Sequence, residues 1–323
     1  MGALRNLTVS QQIGLLFVVL FGLLAAVTVI AFGRTLRDRS ARELDAHEHF
    51  KRDLRAVWIG AVLFWIAWIA GGIVSTLLFG LVSFLALREF VTLTHTRRGD
   101  HRSLLLAFFA VLPLQYLIVA SQRFDLFTVF IPVYVFLAIP VVSALGNDPQ
   151  RFLERTAKIQ WSIMVCVYGM SHAPALLLLD LPGYRDRGAF LVLYLVVVVA
   201  IAQIVQEAAS RRLRRRPVAR AISRSFSWRA WGIGAAAAAL AGGLLYWSTP
   251  FRNPWGAVLM GLIAGGSGTL GEFVMHALKR DAGVKSWGGK ASVTGAVGLL
   301  DRVAPLCFAA PVFFHAVRWY FEP

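Results

Sequence analysis

Residues 56–87 read AVWIGAVLFWIAWIAGGIVSTLLFGLVSFLAL, 32 positions without one ionisable side chain. About 20 apolar residues cross a bilayer as a helix, so this stretch is too long for one ordinary span. Gly71 and Gly72 lie in its middle, where a tight break costs little because glycine has no Cβ to clash. The reading is therefore two short helices, 56–72 and 73–87. The whole chain agrees with a membrane origin: 58% of residues are hydrophobic and only 15% charged, which excludes a soluble domain. Further apolar runs lie at 11–32, 103–121, 126–145, 159–180, 188–209, 231–248, 255–278 and 303–320. The predicted fold is an all-α polytopic integral membrane helix bundle of about ten transmembrane helices.

The charges support splitting 56–87. With ten spans, the loops 33–55, 88–102, 146–158, 210–230 and 279–302 fall on one side and hold 27 of the 33 Lys and Arg residues. The positive-inside rule places such loops in the cytosol and both termini outside. Reading 56–87 as one helix scatters the basic loops over both faces. The first apolar run is longer than a signal peptide's and most nearby charge follows it, so it is expected to be an uncleaved anchor in an inner, cytoplasmic membrane. The domain division expected is 1–102, membrane helices carrying the charged loop 33–55, and 103–323, the membrane domain that holds the chemistry.

The net charge of +16 is first a topology signal. No basic helix or aromatic sheet stands free of the membrane segments, so nucleic acid is not an expected partner. Loop 33–55 mixes both signs and suits an interfacial helix. Loop 210–230, SRRLRRRPVARAISRSFSWRA, carries eight arginines and no acid. Beside a membrane helix such a cluster attracts anionic membrane lipids, and arginine matches phosphate geometry. Cys166 and Cys307 lie in apolar runs without metal spacing and read as packing residues. His172 reads as a satisfied buried histidine, and Arg88 with Glu89 as a pair closing locally at the end of a span.

Chemistry concentrates at 271–302, GEFVMHALKRDAGVKSWGGKASVTGAVGLLDR, with three acids, one histidine and five cations. Glu272 and His276 are four apart and share a helix face near the cytosolic end of a span. Lys279 and Arg280 follow at the interface, and Asp301 and Arg302 open the next span. A helical return brings Glu272 and Asp301 to similar depth, with Lys279, Arg280, Lys285 and Arg302 nearby. Two carboxylates amid cations can hold Mg²⁺ and a polyphosphate together. The competing reading is an interhelix salt-bridge network. Glycines at 261, 265, 266, 268, 271, 295 and 298 let helices approach closely, and they also let backbone approach phosphate.

The spacing resembles the signature of the phosphatidate cytidylyltransferase (CDP-diacylglycerol synthase) family: G-D, then S-x-x-K-R-x-x-x-x-K-D, then P-G-H-G-G-x-x-D-R. Gly271 and Glu272 stand for G-D, Lys279, Arg280 and Lys285 reproduce K-R-x-x-x-x-K, and Asp301 and Arg302 the closing D-R. Upstream, Ser223, Ser227 and Trp228 occupy places of the family's S-P-x-K-T segment. The resemblance implies transfer of CMP from CTP to phosphatidate, giving CDP-diacylglycerol and pyrophosphate for phospholipid synthesis. It assigns Glu272 and Asp301 to Mg²⁺, Lys279 to the reacting phosphates, and Arg280, Lys285, Arg302, Ser223, Ser227 and Gly271 to substrate binding. A second copy of the chain is a further expected partner. Departures stand beside the matches: Glu272 for Asp, His276 for Ser, Ser286 and Ala304 for acids, Phe226 for lysine, and Ala200 near the place of a helix Asp, with Gln203 close by. They keep an alternative alive, a lipid-binding relative without catalysis. A transporter is a distant third reading, since no paired repeat with broken helices is evident.

Overall fold

A computed structural model describes residues 8–35, 41–94, 96–181, 184, 187–213, 217–223, 226–284 and 298–321. The described residues are almost wholly helical. We number the helices α1 (Val9–Thr35), α2 (Ala41–Leu93), α3 (Arg98–Ala120), α4 (Phe124–Ala144), α5 (152–177), α6 (Gly188–Leu213), α7 (Trp228–Leu244), α8 (Pro254–Asp281) and α9 (Leu299–Phe321). The chain divides into two compact units, Met1–Val74 and Ser75–Pro323.

In α2 the helix is interrupted at Gly71, with φ 85° and ψ 179°. That region is essentially closed to residues with a Cβ. The break expected in the long apolar stretch thus falls on the first glycine of the pair. Residues 41–55, the second half of the charged loop, are helical and run on into α2 without interruption.

Seven helices among the described residues are long and apolar enough to cross a membrane, against the ten spans expected. The apolar part of α2, Gly60–Thr92, counts once despite its break. α7 has 17 residues, short of the roughly 20 of a straight span. α5 carries Glu154, Arg155 and Lys158 in its first two turns.

The first unit is held by aromatic rings. Trp65 stacks on Trp68 at 5.0 Å and meets Phe17 edge-on, also at 5.0 Å. Trp58 donates from its indole to the Thr28 hydroxyl at 3.0 Å, which satisfies a polar group amid apolar ones.

In the second unit α6, α7, α8 and α9 pack closely, and small residues explain how. A methyl group added at Gly234 would come within 2.6 Å of the Ala202 carbonyl oxygen, and one at Gly261 within 2.6 Å of the Ala238 oxygen. At Gly271 it would run into the Phe308 ring, and at Gly169 into the Cys307 backbone. The glycines are therefore contact points between helices, as membrane packing without a hydrophobic driving force demands. Cys166 and Cys307 are free thiols buried in this core. π-Helical turns interrupt α3, α4 and α5 at Ala107–Val111, Phe130–Val135 and Met164–Gly169, close to Pro113, Pro132 and Pro174, which cannot donate to the ladder.

Two ends of this unit are chemically distinct. At one end Arg155 is buried and binds Asp148 at 2.6 Å and Asp100 at 3.0 Å, tying α5 to the first turn of α3 and to the segment after α4. Partial burial pushes the Asp148 carboxyl up, but the Gln150 N–H, Arg155 and Arg97 outweigh it and hold the group below the usual carboxylate range. Glu89, Lys158, Lys279, Asp281 and Asp301 lie at the same end, linked by contacts described below. At the other end Arg318 meets Asp125 at 3.3 Å, and Tyr320 receives the Arg252 N–H at 3.4 Å. The basic loops 88–102, 146–158 and 279–302 thus contribute their described residues to one end, as alternation along the chain requires.

Candidate active site at the end of two helices

α8 begins at Asn253, whose side chain caps the helix by accepting from the Gly256 N–H at 2.7 Å. It runs 28 residues and ends at Asp281; its last turn carries Lys279 and Arg280, cations placed where the helix dipole favours them. α9 runs antiparallel to it, so its N-terminus returns beside the C-terminal turns of α8. The direct link is an ion pair: Lys279 Nζ lies 2.6 Å from Asp301 Oδ1, with the two side chains 14% and 28% exposed. The pair joins two residues singled out from the sequence, and they meet because a positive helix end and an acid in the first turn of the next helix come together.

Glu272 lies two turns before Lys279 on α8. Gln203 of α6 donates to its Oε2 at 3.1 Å. His276, one turn on, is within electrostatic range of Glu272, Lys279 and Asp301 together. Two acids, a lysine and a histidine thus share one half-buried neighbourhood. Arg280 and Arg302 are exposed beside it. Lys285 lies outside the described residues.

The upstream segment folds against the same helix. Phe226 is buried and stacks on Phe273, the neighbour of Glu272, with ring centres 4.3 Å apart. Where the family pattern has a lysine, this chain has an apolar wedge beside its acid. Ser227 is the N-cap of α7, accepting from the Ala230 N–H at 3.3 Å, and the Ser223 hydroxyl accepts from the Phe226 N–H at 3.3 Å. Both serines, read from the sequence as substrate contacts, shape backbone here. Gly271 is buried against Phe308, so its missing side chain serves helix approach. Glu207, one turn beyond Gln203 on α6, pairs with Arg211 at 2.6 Å on an exposed helix face.

One acid here was not read from the sequence as part of the site. Glu89, expected to pair locally with Arg88, instead accepts the backbone N–H of Leu299 at 3.0 Å, across 210 positions of sequence. It is 4% exposed. The signal available was an acid inside an apolar run, which is costly unless something compensates it. Its partner was invisible, because a backbone amide has no sequence mark.

Next to this end lies a cavity of about 220 Å³ lined by Phe90, Trp161, Leu278, Lys158, Glu154 and Asp281 among others. Lys158 is held at 2.8 Å by Glu154. His172 lies elsewhere in the core and is buried. Its Nδ1 is 2.7 Å from the Tyr168 carbonyl oxygen, and its ring sits between Phe127 and Phe314. Its Nε2 has no hydrogen-bond partner among the described residues.

Among the described residues no three His, Cys, Asp or Glu side chains form a ready-made metal cage. Mg²⁺ does not need one. It keeps several waters and is commonly bound by one or two carboxylates plus the oxygens of a phosphorylated substrate. The donor set Glu272 and Asp301, oxygen ligands beside cations, fits that ion.

A model of the cytidylyltransferase family matches residues 50–320, spanning every helix of the second unit. The chain is 36% identical over 269 residues to the uncharacterized protein YnbB of Escherichia coli K12, covering 81% of this chain and 85% of that protein. It is 36% identical over 87 residues to a phosphatidate cytidylyltransferase of Synechocystis, covering 27% of this chain and 29% of that enzyme. With a family model covering most of its length and the cluster of acids and cations at the joint of α8 and α9, this chain belongs to the cytidylyltransferase family.

Proposed function

We propose that the protein is a phosphatidate cytidylyltransferase of a bacterial cytoplasmic membrane, with the Glu272–Asp301 end facing the cytosol. The observation that carries the reading is the Lys279–Asp301 pair, with Glu272 and His276 beside it, at a helix joint that also bears Arg280 and Arg302. Family membership favours this reading over a lipid-binding relative without catalysis.

The reaction places the phosphate oxygen of phosphatidate on the α-phosphorus of CTP. The bond from that phosphorus to the bridging oxygen breaks, and pyrophosphate leaves with the electron pair. Charge gathers on phosphate oxygens throughout, so the protein's task is positioning and electrostatic stabilisation. Lys279 and the exposed Arg280 and Arg302 face that charge, and Lys285 is assigned with them from its spacing. Glu272 and Asp301 would hold Mg²⁺, whose contribution when bound is to screen neighbouring phosphates and polarise the one under attack. Gln203 fixes Glu272 by its hydrogen bond, and Lys279 fixes Asp301. The eight-arginine loop 210–230 adds attraction for anionic lipid at the same membrane face.

The test is direct. The purified protein is incubated with CTP labelled in the α-phosphate, phosphatidate in mixed micelles and Mg²⁺, and the lipid fraction is resolved by thin-layer chromatography. A labelled CDP-lipid that requires both phosphatidate and Mg²⁺ is expected. Labelled water-soluble products alone, or no product, would refute the assignment.

A further inference from the structure

We propose that Glu89 is a positioning residue for this site, acting as the missing N-terminal cap of the helix that carries Asp301 and Arg302; the inference rests on the transferase reading above.

Among the described residues α9 starts without a local side-chain cap. The residue before it is Gly298, which has no side chain to offer and adopts φ 77°, outside the extended backbone that a capping residue takes. The first amides of a helix have no partner within the helix, and leaving them unsatisfied in apolar surroundings is costly. Glu89, from the end of α2, supplies what the local sequence lacks: its Oε2 accepts the Leu299 N–H at 3.0 Å. It is 96% buried, and its other oxygen has no hydrogen-bond partner among the described residues. A carboxylate is suited to the task, since the positive end of the helix dipole favours a negative charge.

The consequence for the site is geometric. Asp301 is two residues beyond Leu299, in the turn that the cap fixes, and Glu89 lies within electrostatic range of it. A first turn that frays moves Asp301 away from Lys279, and with it the acid assigned to the metal. Glu89 does not touch the reacting atoms in this scheme. It holds the turn that does.

The test compares wild type with Glu89→Gln, Glu89→Asp and Glu89→Ala in detergent micelles, by hydrogen exchange of peptides covering 298–321 and by the CDP-lipid assay. In Glu89→Gln, a side chain of the same shape without charge, the first-turn amides of α9 are expected to exchange about tenfold faster, the size of a lost cap. Amides beyond Phe308 should stay as protected as in wild type. Turnover should fall while KM for CTP changes little, and Glu89→Asp should recover part of both losses. Unchanged first-turn exchange in Glu89→Gln and Glu89→Ala would overturn the proposal. So would faster exchange spread evenly along α9, since that is general destabilisation. The exchange measurement does not depend on catalysis: a wild type without transferase activity that still shows the first-turn effect overturns the functional assignment and leaves the cap standing.

Discussion

Asp301 decides between a catalytic cluster and a structural strut, and three variants separate the two: Asp301→Asn, Lys279→Met and the double change. At 2.6 Å, the pair attracts by about 6 kcal/mol at an effective dielectric constant of about 20. Most of that is offset by the loss of water around two largely buried groups, so replacing both at once is close to neutral, within about 1 kcal/mol. Removing one partner is different. It leaves the other charge uncompensated and costs about 3 kcal/mol, an effect visible as a fall in Tm. Asp301→Asn and Lys279→Met should therefore each lower Tm, and the double variant should regain most of the loss. Activity should not follow Tm. If Asp301 holds a metal and Lys279 faces phosphate charge, the double variant remains at least about a hundredfold to a thousandfold less active than wild type despite its recovered stability. The assay is labelled CDP-lipid formation at matched folded protein, with melting followed by intrinsic tryptophan fluorescence. A double variant with wild-type turnover would refute the reasoning: the pair would be an interhelix salt bridge and nothing more. Full activity in Asp301→Asn alone would move the site elsewhere.

Glu272→Asp restores the residue type of the family pattern and keeps the charge, so turnover should stay within about tenfold of wild type, or 1.4 kcal/mol in the barrier; abolished activity would show that the Gln203 contact sets the geometry. Arg155→Met leaves the buried Asp100 without its cation and Asp148 with Arg97 alone, and should cost about 3 kcal/mol of stability, read by thermal or denaturant melts. Asp148 is held below its unfolded value, so its contribution is present above about pH 4 and is lost as pH falls through the folded value; Asp148→Asn should flatten the melting profile in that acid range, and an unchanged profile would remove the group from the account. Replacing Arg214, Arg215 and Arg216 by Ala should weaken binding to vesicles rich in anionic lipid by about 1 kcal/mol per residue at modest salt, measured by flotation, and unaltered affinity would leave the loop as a topology signal only.

What the sequence made legible follows the range of the interactions involved. Hydropathy is a local property, so the helical membrane class, the break at Gly71 and the packing role of the glycines could be read directly. The Lys279–Asp301 contact was legible for a related reason: both residues sit at helix ends next to one connection, and an antiparallel return must bring such ends together. The number of spans was less so, because α5 starts with charged residues, α7 has only 17 residues and the apolar part of α2 counts once. Ser223 and Ser227 were singled out as motif residues, and the structure adds that each hydroxyl accepts a nearby backbone N–H, a partner that leaves no trace in the sequence. Glu89 was the furthest out of reach. Its chemistry is visible as an acid in an apolar run, yet its partner is an amide 210 positions away whose need arises only because Gly298 cannot cap the helix it precedes. A glycine that cannot cap the helix of the acid assigned to the metal, and a lone buried carboxylate elsewhere, are two halves of one interaction. Searching membrane sequences for both halves at once would find such long-range caps before a structure does.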